Sequence, residues 1–362
     1  MDSDYGWKHP TDESDQWDGF NDSGMHHFAG NPITHLAREV NQNSLDSSAG
    51  GPVRVTVRLL SVSTDDIPNL SELKQTVNDC VVAATNEAEK AQRFFENASE
   101  LLEQPQITAL EISDFNTRGM AGPSQNGTPF FAFTKARGQS KKDDPTAAGS
   151  FGIGKFAPYV VSNLRTVFVS TVYKDAHGNL KRLTQGKSIF MSHDDDKNRR
   201  QAVGYWGVKE RCKPVEDGRG SLPPWLVRGS EILTDQDIGT KLVILGFDNA
   251  VGWHDNVAIS VAENFFGAIN QGDLEVTIDE KHTLKTDTIE NFFDNPLMLS
   301  AVKAHEDDSE PEQFLSAKNY RACLQDGGPV VVEQRDLKGL GTCELRILLG
   351  EALPKKVCFL RN

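Results

Sequence analysis

Helical and strand periodicities succeed one another irregularly along this chain, and that order constrains its fold more than any other feature. A helix is predicted from Pro32, where Ile33, Leu36, Ala37, Val40 and Leu45 recur at helical spacing behind a predicted N-cap at Thr34. Gly50-Gly51 is read as ending the helix, and then VRVTVRLLSV alternates as a strand from Val53 to Val62. Residues 70–103 are rich in Ala, Glu, Lys, Gln and Leu and read as one or two helices. ITALEIS is a strand from Ile107 to Ser113, running into a loop that Asp114 begins. Further strands are predicted at Leu164–Tyr173, with a hairpin turn at Asp175–Asn179, and at Gly239–Phe247. The order helix, strand, helix, strand, lid, strand, strand lacks the regular alternation of a parallel sheet, so the class is α+β.

The 362 residues suffice for two domains. After Phe247 the pattern gives a helix at Val257–Ile269, a strand at Leu274–Asp279, an acidic loop over Ser300–Asp308 and a helix at Glu312–Leu324. Strands follow near Val330–Glu333, Cys343–Leu349 and Lys356–Leu360. Residues 1–30 are polar with scattered aromatics and read as an N-terminal arm that packs on something, such as a partner subunit; a loose terminus with a few exposed aromatics is the alternative. The chain stops at FLRN directly after a predicted strand, so more protein is expected to follow.

Composition excludes some classes. A net charge of −14 argues against a protein that coats nucleic acid through its overall field, although a local basic face stays compatible with it. No stretch is apolar and long enough to span a bilayer, and the acidic N-terminus has no signal-peptide core. The five cysteines are widely spaced and never in a C-x-x-C pair. Reduced thiols and a cytoplasmic location follow as expectations, with no zinc site.

Four stretches carry chemistry. In REVNQNSLD, Glu39 and Asn43 lie four apart on one helix face, with Asp46 three further on. Such a carboxylate can deprotonate a water, and the carboxamide oxygen suits Mg²⁺. The bland alternative is a solvated polar face. In EISDFNTRGM, Asp114 at a strand end can accept a hydrogen bond from an exocyclic amine. Asn116 tolerates left-handed dihedrals, Gly119 lets backbone approach a planar ring, and Met120 follows it. The alternative is a tight Asx turn. In GSFGIGKFAPY, Gly149, Gly152 and Gly154 can bring backbone N–H groups onto phosphates, with Phe151 and Ile153 between them and Lys155 as a point charge. This stretch also meets most of a Walker A pattern but fails at its last position, Phe156, where that loop needs a hydroxyl for Mg²⁺. Finally, Gly239-Thr240 enters KLVILGF, where a hydroxyl at a strand edge can reach a base through water; a β-branched strand start is the alternative.

Taken together and in this order, the four stretches resemble the motif set of the superfamily of gyrase, heat-shock chaperone, histidine kinase and MutL ATPases (GHKL), with the lid and the first motif closest in style to the heat-shock chaperone and MutL branches. The resemblance covers roughly residues 31–249. It implies a Bergerat-fold ATP-binding domain at 31–250, an α/β sandwich with a mixed sheet and helices on one face. A smaller, transducer-like α+β region follows at 251–362. It implies Glu39 as general base, Asn43 as the Mg²⁺ ligand and Asp46 on the same face. It also implies Asp114 as the reader of adenine, Asn116, Gly119, Met120 and Thr240 around the base, and Gly149, Phe151, Gly152, Ile153, Gly154 and Lys155 closing over the phosphates. Lys338, in RDLKGLG, is the candidate basic residue sent to the γ-phosphate. Two departures are visible: DFNTRGM is one residue longer than the usual box, and Asn116 replaces its first glycine. The implied function is Mg-dependent ATP hydrolysis driving lid closure and an ATP-dependent homodimer switch. The alternatives are a nucleotide-binding regulatory module with negligible turnover, or the ATPase part of a DNA-acting protein. The protein or DNA client is not readable from the sequence.

Overall fold

The computed structural model describes residues 4–21, 23–28, 30–136, 154–217, 222–305, 312–327, 329–339, 341–351 and 353–360. The chain divides into two compact units, Met1–Val251 and Gly252–Asn362.

The first unit begins with β1 (Tyr5–Lys8) and a short α1 (Ser23–His26), then α2 (Pro32–Asp46), β2 (Val53–Ser63), α3 (Leu70–Ala84), α4 (Glu89–Leu102) and β3 (Gln106–Phe115). Two short helices follow, α5 (Pro129–Thr134) and α6 (Ala157–Val160), the latter led in by a one-turn 3-10 helix at Gly154–Phe156. The long hairpin β4 (Ser162–Lys174) and β5 (Leu180–Ile189) comes next. The short strands β6 (His193–Asp194), β7 (Arg199–Arg200), β8 (Val203–Val208) and β9 (Val215–Glu216) lead to β10 (Gly239–Phe247). The sheet order is β1-β8-β5-β4-β10-β3-β2, with β9 beside β5. The registered pairs along this path are antiparallel.

The pleat sends alternate residues to opposite faces. On one face Ile107 and Ala109 of β3 and Val243 and Leu245 of β10 join Leu73, Val77 and Cys80 of α3 and Phe95, Ala98 and Leu102 of α4 in one buried core. Glu111 shares the parity of Ile107 and Ala109, and its carboxylate pairs with Lys241 at 3.0 Å. Asp114 has the opposite parity, and there it meets Ser44 of α2 at 3.4 Å. On that second face Tyr159 of α6 lies over Lys187 of β5, 5.8 Å from ring centre to Nζ. The class is therefore α+β as expected, but the helices are not confined to one face. The hairpin α3–α4 inserted between β2 and β3 is itself amphipathic, and it buries its stripe on the side α2 leaves open.

The described residues among the first thirty pack on the first unit itself. β1 adds an edge strand to β8, and the Trp7 amide donates to Glu72 Oε2 at 2.7 Å. Trp7, Phe20 and Phe28 are buried. The polar residues between these aromatics hide their anchoring role in the sequence.

Three local readings change in the same unit. The N-cap of α2 is Asn31, whose side chain accepts from the Thr34 amide, with Pro32 in the first turn. The helix closes at Asp46, before Gly50-Gly51. β3 runs on to Phe115, so Asp114 lies inside the strand, opposite Val55, and does not begin a loop.

The second unit holds α7 (Trp253–Gln271), the hairpin β11 (Leu274–Ile278) and β12 (His282–Leu284), the helices α8 (Ile289–Asp294), α9 (Pro296–His305) and α10 (Glu312–Cys323), and the hairpin β13 (Val330–Leu337) and β14 (Gly341–Leu348). The loop predicted over 300–308 is helical up to His305, because LMLSAVKA is a good helix-forming run and the acids begin only after it. Residues 356–360 form no strand: β13 and β14 pair with each other and leave them outside the ladder. All five cysteines are free thiols. Among the described residues no helix is long and apolar enough to cross a membrane.

Candidate functional site

The site is built around Asp114. Its Oδ1 accepts the Thr240 amide at 2.9 Å and the Thr117 hydroxyl at 2.5 Å, and its Oδ2 lies 3.4 Å from the Ser44 hydroxyl, which shares its proton with Val40 O at 2.9 Å. One carboxylate thus ties the end of β3 to the start of β10 and to α2. Burial pushes the Asp114 carboxyl above its ordinary range, opposed by the Thr117 hydroxyl, the Thr240 amide, the positive charge of Arg228 and the Ser44 hydroxyl. Arg228 itself is buried, donates to Asp237 O and Ile238 O at 2.9 and 3.1 Å, and lies 4.2 Å over the Phe115 ring. Burial lowers its pKa, and the Asp114 carboxylate is the first charge opposing that.

The Gly-Thr step is not a bare strand start. Gly239 has φ +138°, and a Cβ there would overlap the Asp114 carbonyl and lie 2.7 Å from Arg228 Nη2 and 2.8 Å from Asp114 Oδ1. Only glycine lets β10 start this close to the carboxylate. Gly119 is held by the same kind of crowding: φ is +66°, and a Cβ would overlap Val172 O and lie 3.0 Å from Thr171 Oγ1. The next residue, Met120, donates its amide to Thr171 Oγ1 at 2.8 Å. Thr171 in turn donates to Gly239 O at 3.2 Å and lies 3.4 Å from Thr240 Oγ1.

Asn116 adopts the left-handed conformation its residue type allows, with φ +59°. Its carboxamide donates to Pro52 O at 2.7 Å, so it braces the turn before β2. Arg118 does the corresponding work on α2. Its amide donates to Ser47 O at 2.8 Å, and its guanidinium to Ser48 O and Asp46 O at 3.0 and 3.2 Å. These carbonyls end α2, where a cation complements both the unsatisfied oxygens and the dipole.

On α2 itself Glu39 and Asn43 share a face, one turn apart, with Asn43 exposed and Glu39 partly so. Glu39 lies 3.6 Å from Arg38. Its carboxylate rests against Gly154, where a Cβ would overlap Oε2. The Asp46 carboxylate accepts from Gln42 at 2.9 Å. Lys155 directs its ammonium at the C-terminal end of α5, donating to Ala132 O at 3.2 Å and to Ala136 O just beyond the helix. Gly149, Phe151, Gly152 and Ile153 lie outside the described residues. Lys338 is exposed in the turn between β13 and β14, in the second unit.

The first unit therefore brings together Glu39, Asn43 and Asp46 on α2, Asp114, Gly119 and Met120 at the end of β3, Thr240 on β10, and Gly154 against Glu39. The sequence reading missed Ser44, Thr117, Arg118, Thr171 and Arg228. Two of these left a signal: Ser170-Thr171 is a polar pair inside the otherwise apolar VFVSTVY, and Thr117 stands three residues after Asp114, a turn-closing spacing. Among the described residues no group of three or more His, Cys, Asp or Glu side chains could hold a metal ion. An oxygen-ligated Mg²⁺ of the kind expected at Asn43 draws on few protein ligands and keeps several waters. No protein-family model matches this chain, and no curated protein matches it in sequence.

Proposed function

We propose that this protein binds Mg-ATP in a Bergerat-type site on the first unit and hydrolyses it. The observation that carries the reading is the bonding of Asp114 to Thr240, Thr117 and Ser44, which joins three of the four chemistry-bearing stretches on one carboxylate. The fourth joins about midway along α2, where Gly154 touches Glu39. In this reading Asp114 accepts the exocyclic amine of adenine, and Asn43 ligates Mg²⁺ through its amide oxygen. Glu39 takes the proton of the attacking water as that water adds to the γ-phosphorus, and ADP departs as the leaving group. ATP-driven pairing of two copies belongs to the same proposal and is read by light scattering with and without Mg-ATP.

Asp114→Asn tests the base end by titration calorimetry. The asparagine oxygen can still accept from Thr240 and Thr117, but its amide presents donors where the carboxylate presented lone pairs. Mg-ATP affinity should fall about tenfold or more, as expected for a mismatched buried polar pair. Stability without nucleotide should move the other way. Because the folded-state pKa of Asp114 is raised, the folded protein holds that proton more tightly than the unfolded chain, and stability falls as pH rises through the window above the ordinary carboxylate value. At pH 7 the variant should melt higher than wild type. Wild-type affinity should weaken as pH falls through the same window, and the variant should lack that step. Unchanged affinity in the variant would move the base pocket elsewhere.

A further inference from the structure

The buried hydroxyls of Thr171 and Thr240 stand side by side at the edge of the Asp114 cluster. A threonine hydroxyl has one proton and two lone pairs. Thr171 accepts the Met120 amide at 2.8 Å and donates its only proton to Gly239 O at 3.2 Å. Any proton lying in the 3.4 Å gap between Thr171 Oγ1 and Thr240 Oγ1 must then be Thr240's. A Thr240 hydroxyl turned toward Thr171 offers only lone pairs to anything else. The neighbouring carboxylate also only accepts: Asp114 Oδ1 is taken up by the Thr240 amide and Thr117, while Oδ2 has only a 3.4 Å contact from Ser44, whose proton is shared with Val40 O at 2.9 Å, and so has acceptor capacity to spare.

We propose that Thr171 sets the hydrogen-bond polarity of the base pocket, making the Asp114–Thr240 pair an all-acceptor surface that selects a 6-aminopurine over a 6-oxopurine nucleotide. The inference rests on the reading of Asp114 as the base-facing group. An adenine amine supplies two N–H donors to such a surface, directly to Asp114 and to Thr240 through water. A guanine carbonyl would set lone pairs against lone pairs, and a site built to bond one group rejects the analogue that lacks it. Thr171 touches neither base nor phosphate in this account. It is a positioning residue acting through Thr240 and through the Gly119-Met120 backbone, which it holds against β4.

The test is calorimetric titration of wild type, Thr171→Val and Thr171→Ser with Mg-ATP and with Mg-GTP, alongside kcat at saturating ATP and melting temperatures. Wild type should prefer ATP by roughly 100-fold or more. Thr171→Val keeps the shape of the side chain but leaves the Met120 amide without its acceptor and frees the Thr240 proton to turn outward. ATP affinity should fall about tenfold, the ATP-to-GTP preference should fall by a similar factor, and kcat should stay the same. Thr171→Ser, which keeps the hydroxyl, should restore both affinity and preference. Should Thr171→Val fail to fold, Thr240→Val carries the test from the other side, because it removes the acceptor lone pairs and must also lower the preference. An unchanged preference in the valine variants, or an equal loss for both nucleotides, overturns the inference while leaving ATP binding intact. Wild-type protein that binds neither nucleotide sinks the proposed function, and this inference with it.

Discussion

Glu39→Ala is expected to bind Mg-ATP with near wild-type affinity and to lose most of its hydrolysis. Removal of a general base typically lowers turnover by roughly 10²–10⁴-fold, equivalent to about 3–5 kcal/mol of transition-state stabilisation. Two observations bear on this expectation. Glu39 is partly exposed, and its ion pair to the neighbouring Arg38 is a loose one at 3.6 Å, so little of the fold rests on it. Its carboxylate also lies against Gly154, where any side chain would displace it. Gly154→Ala should therefore lower turnover as well, by pushing the carboxylate off its position. The check is single-turnover hydrolysis paired with calorimetry. Loss of ATP binding in Glu39→Ala would make Glu39 a structural residue and remove the assignment.

The second large effect is expected from Asn43→Ala. Asn43 lies one turn beyond Glu39 on the same face and is exposed, so its carboxamide can give its oxygen to a hydrated Mg²⁺ without leaving a partner behind in the fold. Mg²⁺-dependent tightening of ATP binding should disappear in the variant, while binding of nucleotide without Mg²⁺ changes little. Phe156→Ser is the control for a P-loop reading, since it supplies the hydroxyl that a Walker A loop requires beside Lys155. It should not strengthen Mg²⁺ binding, and Lys155 is directed at the α5 carbonyls in any case. If Phe156→Ser gains Mg²⁺ affinity while Asn43→Ala keeps it, the GSFGIGK stretch acts as a Walker A loop and the Bergerat reading fails.

Much of this arrangement was legible in the sequence because it depends on local signals. Helical spacing set α2 and placed Glu39, Asn43 and Asp46 on one face, and alternation set β2 and β10 within a residue or two. What escaped was long-range. Nothing local to Trp7 shows that its amide will find Glu72, or that the first strand will lie against β8. Nothing near Arg228 shows that it will lie over Phe115 and beside Asp114, because its segment has no periodicity and its partners are more than a hundred residues upstream. The placement of α3 and α4 on the face opposite α2 follows from which residues of β3 are apolar at each parity. Ile107, Ala109, Leu110 and Ile112 are apolar on both sides, so the sequence alone does not choose. Gly239 was read with a strand-start threonine in mind, yet its importance lies in a backbone approach visible only in three dimensions.

In the proposed site one nucleotide lies with its base at Asp114 and its phosphates toward Glu39 and Asn43. A structure of the protein with Mg²⁺ and a nonhydrolysable ATP analogue tests it most directly. The adenine amine is expected on Asp114 Oδ2, Mg²⁺ on the Asn43 side-chain oxygen, and a water between the γ-phosphate and Glu39. A nucleotide whose base lies away from Asp114, or whose Mg²⁺ is bound without Asn43, would contradict it.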